Sequence, residues 1–303
     1  MTSGRLLALL ALCVAAPFAG AMAQGVPGLG GIGGQDNGKP IGIEATNGIE
    51  WQQNNRVYIA RGDAKATRGE TTVRADTLYA YYRPVAQAQP VAVSKTGSPD
   101  PFTGGGSTEI YRLEADGHVR FTTPTQTMTG DHAVYDVDQT VLVVTGNDLR
   151  LTTPRDTITA RDSIEWYDGK QVGVARGDAL AVRDDRRVRG DVLTAQMQKQ
   201  GKDGPSRISR INGNGNVIVS NTDQIARGDA GVYNLDSGIA TLAGHVRLTR
   251  GDNELRGRYA VVDLNTNVSR LLSAPPGAKV LAGGSETARV EGLLVPRRKP
   301  ETP

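Results

Sequence analysis

One spacing recurs along this 303-residue chain: a glycine followed by alternating apolar residues, then, thirteen positions later, a glycine or alanine followed by aspartate. Gly62 with Ala75-Asp76, Gly117 with Gly130-Asp131, Gly177 with Gly190-Asp191 and Gly215 with Gly228-Asp229 all fit. Gly244 and Gly257 keep the spacing with Arg258 in place of aspartate, and Gly146 and Ala160 keep it with one extra residue and Arg161. Units start at 62, 117, 146, 177, 215 and 244, and their short steps are 29, 31 and 29 residues. Such a chain buries the same kind of face again and again, so each unit adds a layer to a stack.

A longer duplication lies over these units. Residues 45–68 align without a gap on 160–183, at an offset of 115, and bring Trp51 onto Trp166, the only two tryptophans. "GDHAVYDVD" at 130–138 matches "GDAGVYNLD" at 228–236. The repeating region therefore reads as two tandem halves, about 43–155 and 156–295. The paired tryptophans admit two readings, a core filler at an equivalent rung or the rim of a ligand groove.

The apolar residues after each glycine are two apart: Ala64/Ala66, Val119/Phe121, Ala179/Ala181, Val217/Val219 and Val246/Leu248, with Leu149/Leu151 in the unit carrying the extra residue. A period of two is the mark of a half-buried strand. Val, Ile, Thr and Tyr fill the segments between Gly, Asn and Asp, as strand propensity requires. The expected fold is all-β, an elongated antiparallel jelly-roll-like stack, open at both ends; a parallel β-helix is the rival. The repeat glycines are expected at turns and the repeat aspartates as acceptors of turn N–H groups. In "ADTLYAYY" both faces are apolar, so a bulge there would switch the inward phase. Arg-Gly-Asp occurs five times, from Arg61, Arg176, Arg189, Arg227 and Arg250. Repetition reads it as punctuation of the repeat; the other reading is an extracellular structural or adhesive protein presenting the tripeptide to receptors.

Lys and Arg total 35 against 32 Asp and Glu, a balance that argues against a nucleic-acid partner. Arg5, the apolar run Leu6–Ala16 and Ala21-Met22-Ala23 form a cleavable export signal over 1–23. It contains Cys13, the single cysteine, so the mature chain has no thiol chemistry. A Gly-rich linker follows over 24–42, and the chain ends in a basic, Pro-rich tail over 296–303. Insertions fall at Pro84–Thr108 and near Lys199–Arg207. No catalytic or metal constellation is evident. His118 and His245 share one repeat position and are expected at strand starts on the surface, and His132 stands apart. No cofactor is implied.

The apolar pairs make either a closed core or an open trough for acyl chains. Here a resemblance bears on the choice. The export signal, the repeated Ala-Asp or Gly-Asp openings, "RGDA", "GDHAVYDVD", "LTTPRDTITARDSIEW" and "ARVEGLLVPRRK" together resemble the LptA/OstA family of periplasmic lipopolysaccharide-export proteins, in its longer alphaproteobacterial form. The resemblance implies a β-jellyroll of V-shaped layers whose trough shields lipid A acyl chains. It implies head-to-tail stacking and two further partners, a similar β-jellyroll subunit of the inner-membrane export complex and the N-terminal periplasmic domain of the outer-membrane translocon. It implies no catalytic residues. The groove residues expected are Ala64, Ala66, Val119, Phe121, Leu149, Leu151, Val217, Val219, Val246 and Leu248. The docking edges expected are Ile43, Ile49 and Trp51 at one end and Val280 and Val290 at the other.

Overall fold

The computed structural model describes residues 41–84, 108–199, 206–275 and 290–294. Eighteen antiparallel strands form one sheet, and no α-helix occurs among the described residues. The strands are β1 (Gly42–Glu44), β2 (Ile49–Gln52), β3 (Val57–Arg68), β4 (Thr71–Pro84), β5 (Thr108–Thr122), β6 (Thr127–Asp136), β7 (Val141–Thr145), β8 (Leu149–Thr152) and β9 (Thr157–Ala160). The second half continues with β10 (Ser163–Tyr167), β11 (Val172–Arg183), β12 (Arg186–Lys199), β13 (Ser206–Ser220), β14 (Ile225–Asn234), β15 (Ile239–Arg250), β16 (Asn253–Asp263), β17 (Val268–Leu272) and β18 (Glu291–Leu293). Strand β1 begins at the last residue assigned above to the linker. The export signal, the Pro84–Thr108 insertion beyond its two end residues, Val280 and the basic tail lie outside the described residues.

Most of the repeat glycines are not turns between strands, as the spacing suggested. Five of the six stand in the middle of long strands, and Gly146 alone lies in the break between β7 and β8. Between β3 and β4 the ladder jumps from Arg61 opposite Thr77 to Ala64 opposite Ala75, so Gly62 and Asp63 face the single residue Asp76. The same two-against-one step sets Gly117-His118 against Asp131, Gly177-Asp178 against Asp191, Gly215-Asn216 against Asp229 and Gly244-His245 against Arg258. Each is a bulge that bends its strand. The thirteen-residue spacing is thus the path from a bulge out to a hairpin end and back.

The bulge explains the residue types. The five glycines have φ between +73° and +81°, and the residues after them between +40° and +50°. A Cβ on Gly117 would run into the Asp76 carboxylate of the neighbouring rung, and one on Gly215 into that of Asp191. Those carboxylates are also held from the far side: His118 Nδ1 lies 2.9 Å from Asp76 and His245 Nδ1 2.7 Å from Asp229, and Asn216 donates to Asp191 at 2.9 Å. Of the repeat aspartates, Asp131 accepts a backbone N–H in the expected manner, that of Asn147 at 2.7 Å. The two repeated histidines are therefore exposed mid-strand corner residues, not strand starts.

Stacked bulges fold the sheet lengthwise into two walls. Wall one carries β2, β7, β10, β17 and the parts of the long strands on their side of the corner; wall two carries β1, β8, β9, β18 and the remainder. Strands that carry the glycine keep one inward phase through the corner: Ala60, Ala64 and Ala66 all face in. Strands that carry the aspartate slip by one: Val73 and Ala75 face in before Asp76, Leu78 after it. That slip is why "ADTLYAYY" looked apolar on both faces.

The inward faces meet in two apolar clusters. The first joins Ala60, Leu142 and Trp166 of wall one to Phe121, Met128 and Leu149 of wall two. The second joins Leu193, Tyr233, Leu242 and Val262 to Val217, Ala226 and Leu248. Each large aliphatic or aromatic side chain so buried contributes about 1.5–3 kcal/mol. Leu151, Ala160 and Met197 touch both clusters, making one interior from two halves.

Candidate functional site

All ten groove candidates lie on the inward face of wall two. Ala64, Ala66, Val119, Phe121, Leu149, Val217, Val219, Val246 and Leu248 are buried there, and Leu151 is half-buried. Opposite them stands a second lining that the sequence reading missed: Leu142, Val144, Ile164, Trp166, Leu193, Ile211 and Leu242 of wall one. Counting backward from each repeat glycine in twos reaches it, through Ala60, Ala115, Val144, Ala175 and Leu242. Reading only forward from the glycine hid half of the interior.

Packing is not uniform along the stack. Where the halves join, a narrow apolar cleft of about 50 Å³, partly open to solvent, lies between the walls. Leu151, Ile158 and Ala181 line it from wall two and Ile164, Trp166, Met197 and Ile211 from wall one. Gly173, Ala175, Ala181 and Ala195 also border it, and their small size at neighbouring rungs leaves the space.

Away from the corner the walls end in hairpin turns, and in the second half polar side chains bridge them. Asn221 of wall two donates to Asn267 of wall one at 2.8 Å, and Asn267 donates to Asp223 at 2.8 Å. Ser269 donates to Gln224 at 2.8 Å. Arg186, at the start of β12, reaches Asn265 at 2.8 Å and the Tyr233 hydroxyl at 3.2 Å. These contacts close the rim with groups that water can satisfy equally well, so opening it costs little per bond.

The interior is nearly free of charge. Burial pushes the Tyr135 phenol up to about 12, and the Asp168 carboxylate adds to the shift. On the outer face of wall one, Glu165 is buried beneath Arg176. Burial raises its carboxyl, but hydrogen bonds from Arg176 (2.7 Å), Tyr167 (2.9 Å) and Ser163 (3.0 Å) outweigh that and hold it below the ordinary glutamate range. Among the described residues no three His, Cys, Asp or Glu side chains gather to hold a metal ion.

Two open sheet edges end the stack. At the first, Ile49 is 45% and Trp51 51% exposed, while Ile43 packs half-buried against the core. The indole N–H of Trp51 donates to the Tyr82 hydroxyl at 2.8 Å, and its ring stacks on Tyr58 at 5.7 Å. At the other end the expected edge was incomplete. Exposed Val290 precedes β18, but β17, with Val268 half exposed, forms the wall-one part of that edge.

Three of the five Arg-Gly-Asp groups contribute to ion pairs within the fold, while the copy at Arg250 lies on the exposed turn between β15 and β16. Arg61 pairs with Glu50 at 2.6 Å, Arg176 with Glu165, and Asp178 with Arg189.

The family described as LptA/(LptD N-terminal domain) LPS transport protein matches the chain twice, over residues 42–172 and 158–268. No curated protein matches it in sequence. Among solved structures it is similar to LptH, the LptA homologous periplasmic component of the conserved lipopolysaccharide transport device from Pseudomonas aeruginosa. The identity is 18%, over 46% of this chain and 95% of that one, with a TM-score of 0.39.

Proposed function

Because the chain belongs to the LptA/LptD N-terminal domain family of lipopolysaccharide transport proteins, we propose that it carries lipopolysaccharide across the periplasm with the acyl chains held between its two walls. The observation that carries this reading is the continuous apolar interior, lined on both walls and opening into a cleft where the halves meet. Each methylene taken from water there is stabilised by about 0.8 kcal/mol. Among the described residues the walls are joined covalently only at the bulged corner, so the polar rim is the side that parts. The sugar portion stays outside, beyond the hairpin turns.

In this reading the protein binds and passes on its cargo without transforming it. The open ends dock on other β-jellyrolls: a further copy, a subunit of the inner-membrane export complex, and the N-terminal domain of the outer-membrane translocon. The direction of transport is set elsewhere. The adhesive alternative loses support from the ion pairs that engage the copies at Arg61, Arg176 and Arg189.

Photo-crosslinking in living cells tests the proposal. A photoreactive residue at Phe121 or Val219 is expected to capture lipopolysaccharide, while one at an exposed turn such as Asp252 is not. Capture at the turn and not inside would refute the trough.

A further inference from the structure

The chain contains a joint of its own. β7 and β8 close the first half, and β9 and β10 open the second. β10 lies antiparallel on β7 with Ile164 opposite Val144, Glu165 opposite Val143 and Trp166 opposite Leu142.

The first edge of the stack repeats one side of that joint. "IEW" at 49–51 is "IEW" at 164–166. Ile49, Glu50 and Trp51 oppose Ala60, Ile59 and Tyr58, as Ile164, Glu165 and Trp166 oppose Ala175, Val174 and Gly173. Arg61 pairs with Glu50 as Arg176 pairs with Glu165.

The last edge repeats the other side. β17 meets β16 with Val268 opposite Asp263, Ser269 opposite Val262 and Leu271 opposite Ala260. β7 meets β6 with Val141 opposite Asp136, Leu142 opposite Tyr135 and Val144 opposite Ala133. The turns agree as well. Asp136 accepts the N–H of Gln139 and Asp263 that of Thr266, and Thr140 and Asn267 hold φ of +54° and +56°. Among the described residues no strand pairs with the outer side of β2 or of β17.

We infer that β2 of one copy docks antiparallel on β17 of a second copy in the register that β10 takes on β7, setting Ile49 opposite Leu271, Glu50 opposite Arg270 and Trp51 opposite Ser269. The inference rests on the end-to-end reading above and gives it a partner and a register. Charge supports the choice of a second copy. In the internal joint Glu165 faces the neutral Val143, whereas at the ends Glu50, half exposed, meets the exposed Arg270. Such directly opposed charges stabilise a strand pair. On wall two the same construction sets Glu44, the counterpart of Thr159, opposite Glu291, the counterpart of Arg150. That like-charge pair opposes docking, so wall one carries the contact.

Charge reversal tests the register, with self-association of the purified exported protein followed by sedimentation. Glu50→Lys and Arg270→Glu are each expected to weaken association by roughly threefold to tenfold. The double variant is expected to restore it, and Glu291→Lys to tighten it. Because Glu50 also pairs with Arg61, circular dichroism checks that each variant is folded. The wild type has no cysteine beyond Cys13, so an Ile49→Cys/Leu271→Cys variant is expected to form intermolecular disulfides, and Ile49→Cys/Ser269→Cys, two residues out of register, is not. A double charge variant no tighter than the single ones, or equal crosslinking by both cysteine pairs, overturns the register. A protein that stays monomeric overturns the second copy as occupant. Failure of lipid capture at Phe121 with the charge rescue intact would strike the trough alone.

Discussion

Trp51 and Trp166 occupy the same place in two copies of one motif, yet Trp51 is 51% exposed and Trp166 6%. The difference is the neighbour. Leu142 of β7 lies opposite Trp166, and no strand among the described residues covers the corresponding side of Trp51. The same contrast separates the ion pairs beside them: the Glu165 side chain is 11% exposed, that of Glu50 51%.

Glu165→Ala should therefore cost more stability than Glu50→Ala. Removing Glu165 strands Arg176 and two hydroxyls and is expected to cost about 1–3 kcal/mol, whereas the surface pair contributes about 1 kcal/mol or less. Urea unfolding of the two variants decides it. The acid limb adds a check. The folded-state pKa of Glu165 is lowered from 4.5, so its contribution is complete above the unfolded value and is lost as pH falls through the folded one. Glu165→Gln should flatten that limb.

Gly117→Ala should destabilise the protein by about 2–3 kcal/mol, since a Cβ there meets the Asp76 carboxylate and φ is +77°. Gly48→Ala, at φ +100° with open space around it, bears backbone strain alone and should cost about 1 kcal/mol. Thermal or urea denaturation separates them.

Tyr135→Phe should stabilise the fold by about 1 kcal/mol, because the buried Tyr135 hydroxyl has no hydrogen-bond partner among the described residues. It should also change the alkaline limb. The raised pKa of the wild-type phenol favours the folded state below the unfolded value of 10.0, and that advantage disappears as pH climbs to about 12. The Phe variant should lack this loss, measured as melting temperature against pH.

A disulfide across the rim should block loading. Cysteines at Asn221 and Asn267, which already touch across the walls, would lock the second half closed when oxidised. Lipopolysaccharide capture inside is expected to fall several-fold and to return on reduction; unchanged capture would place the entrance elsewhere.

The all-β class, the antiparallel order and the wall-two lining were legible because the glycine strands keep a strict period of two through the corner. Wall one was missed because the count ran only forward from each glycine, and on the aspartate strands a forward count loses phase at the bulge, between Ala75 and Leu78 or between Gly190 and Leu193. The glycines themselves were read as turns because glycine with positive φ is more familiar there. Spacing alone does not distinguish a bulge from a hairpin. Pairing does, and pairing is long-range. The terminal edge at β17 was missed for a similar reason: "VSRLL" carries no repeat glycine.

The corner bulge also makes length a free variable. From Gly117 to Gly244 each repeat glycine meets an aspartate of the neighbouring rung, so one more hairpin would extend the stack by about 9.6 Å, two strand spacings, and leave its cross-section unchanged. A lineage that needed to cross a wider gap would have only to copy a hairpin.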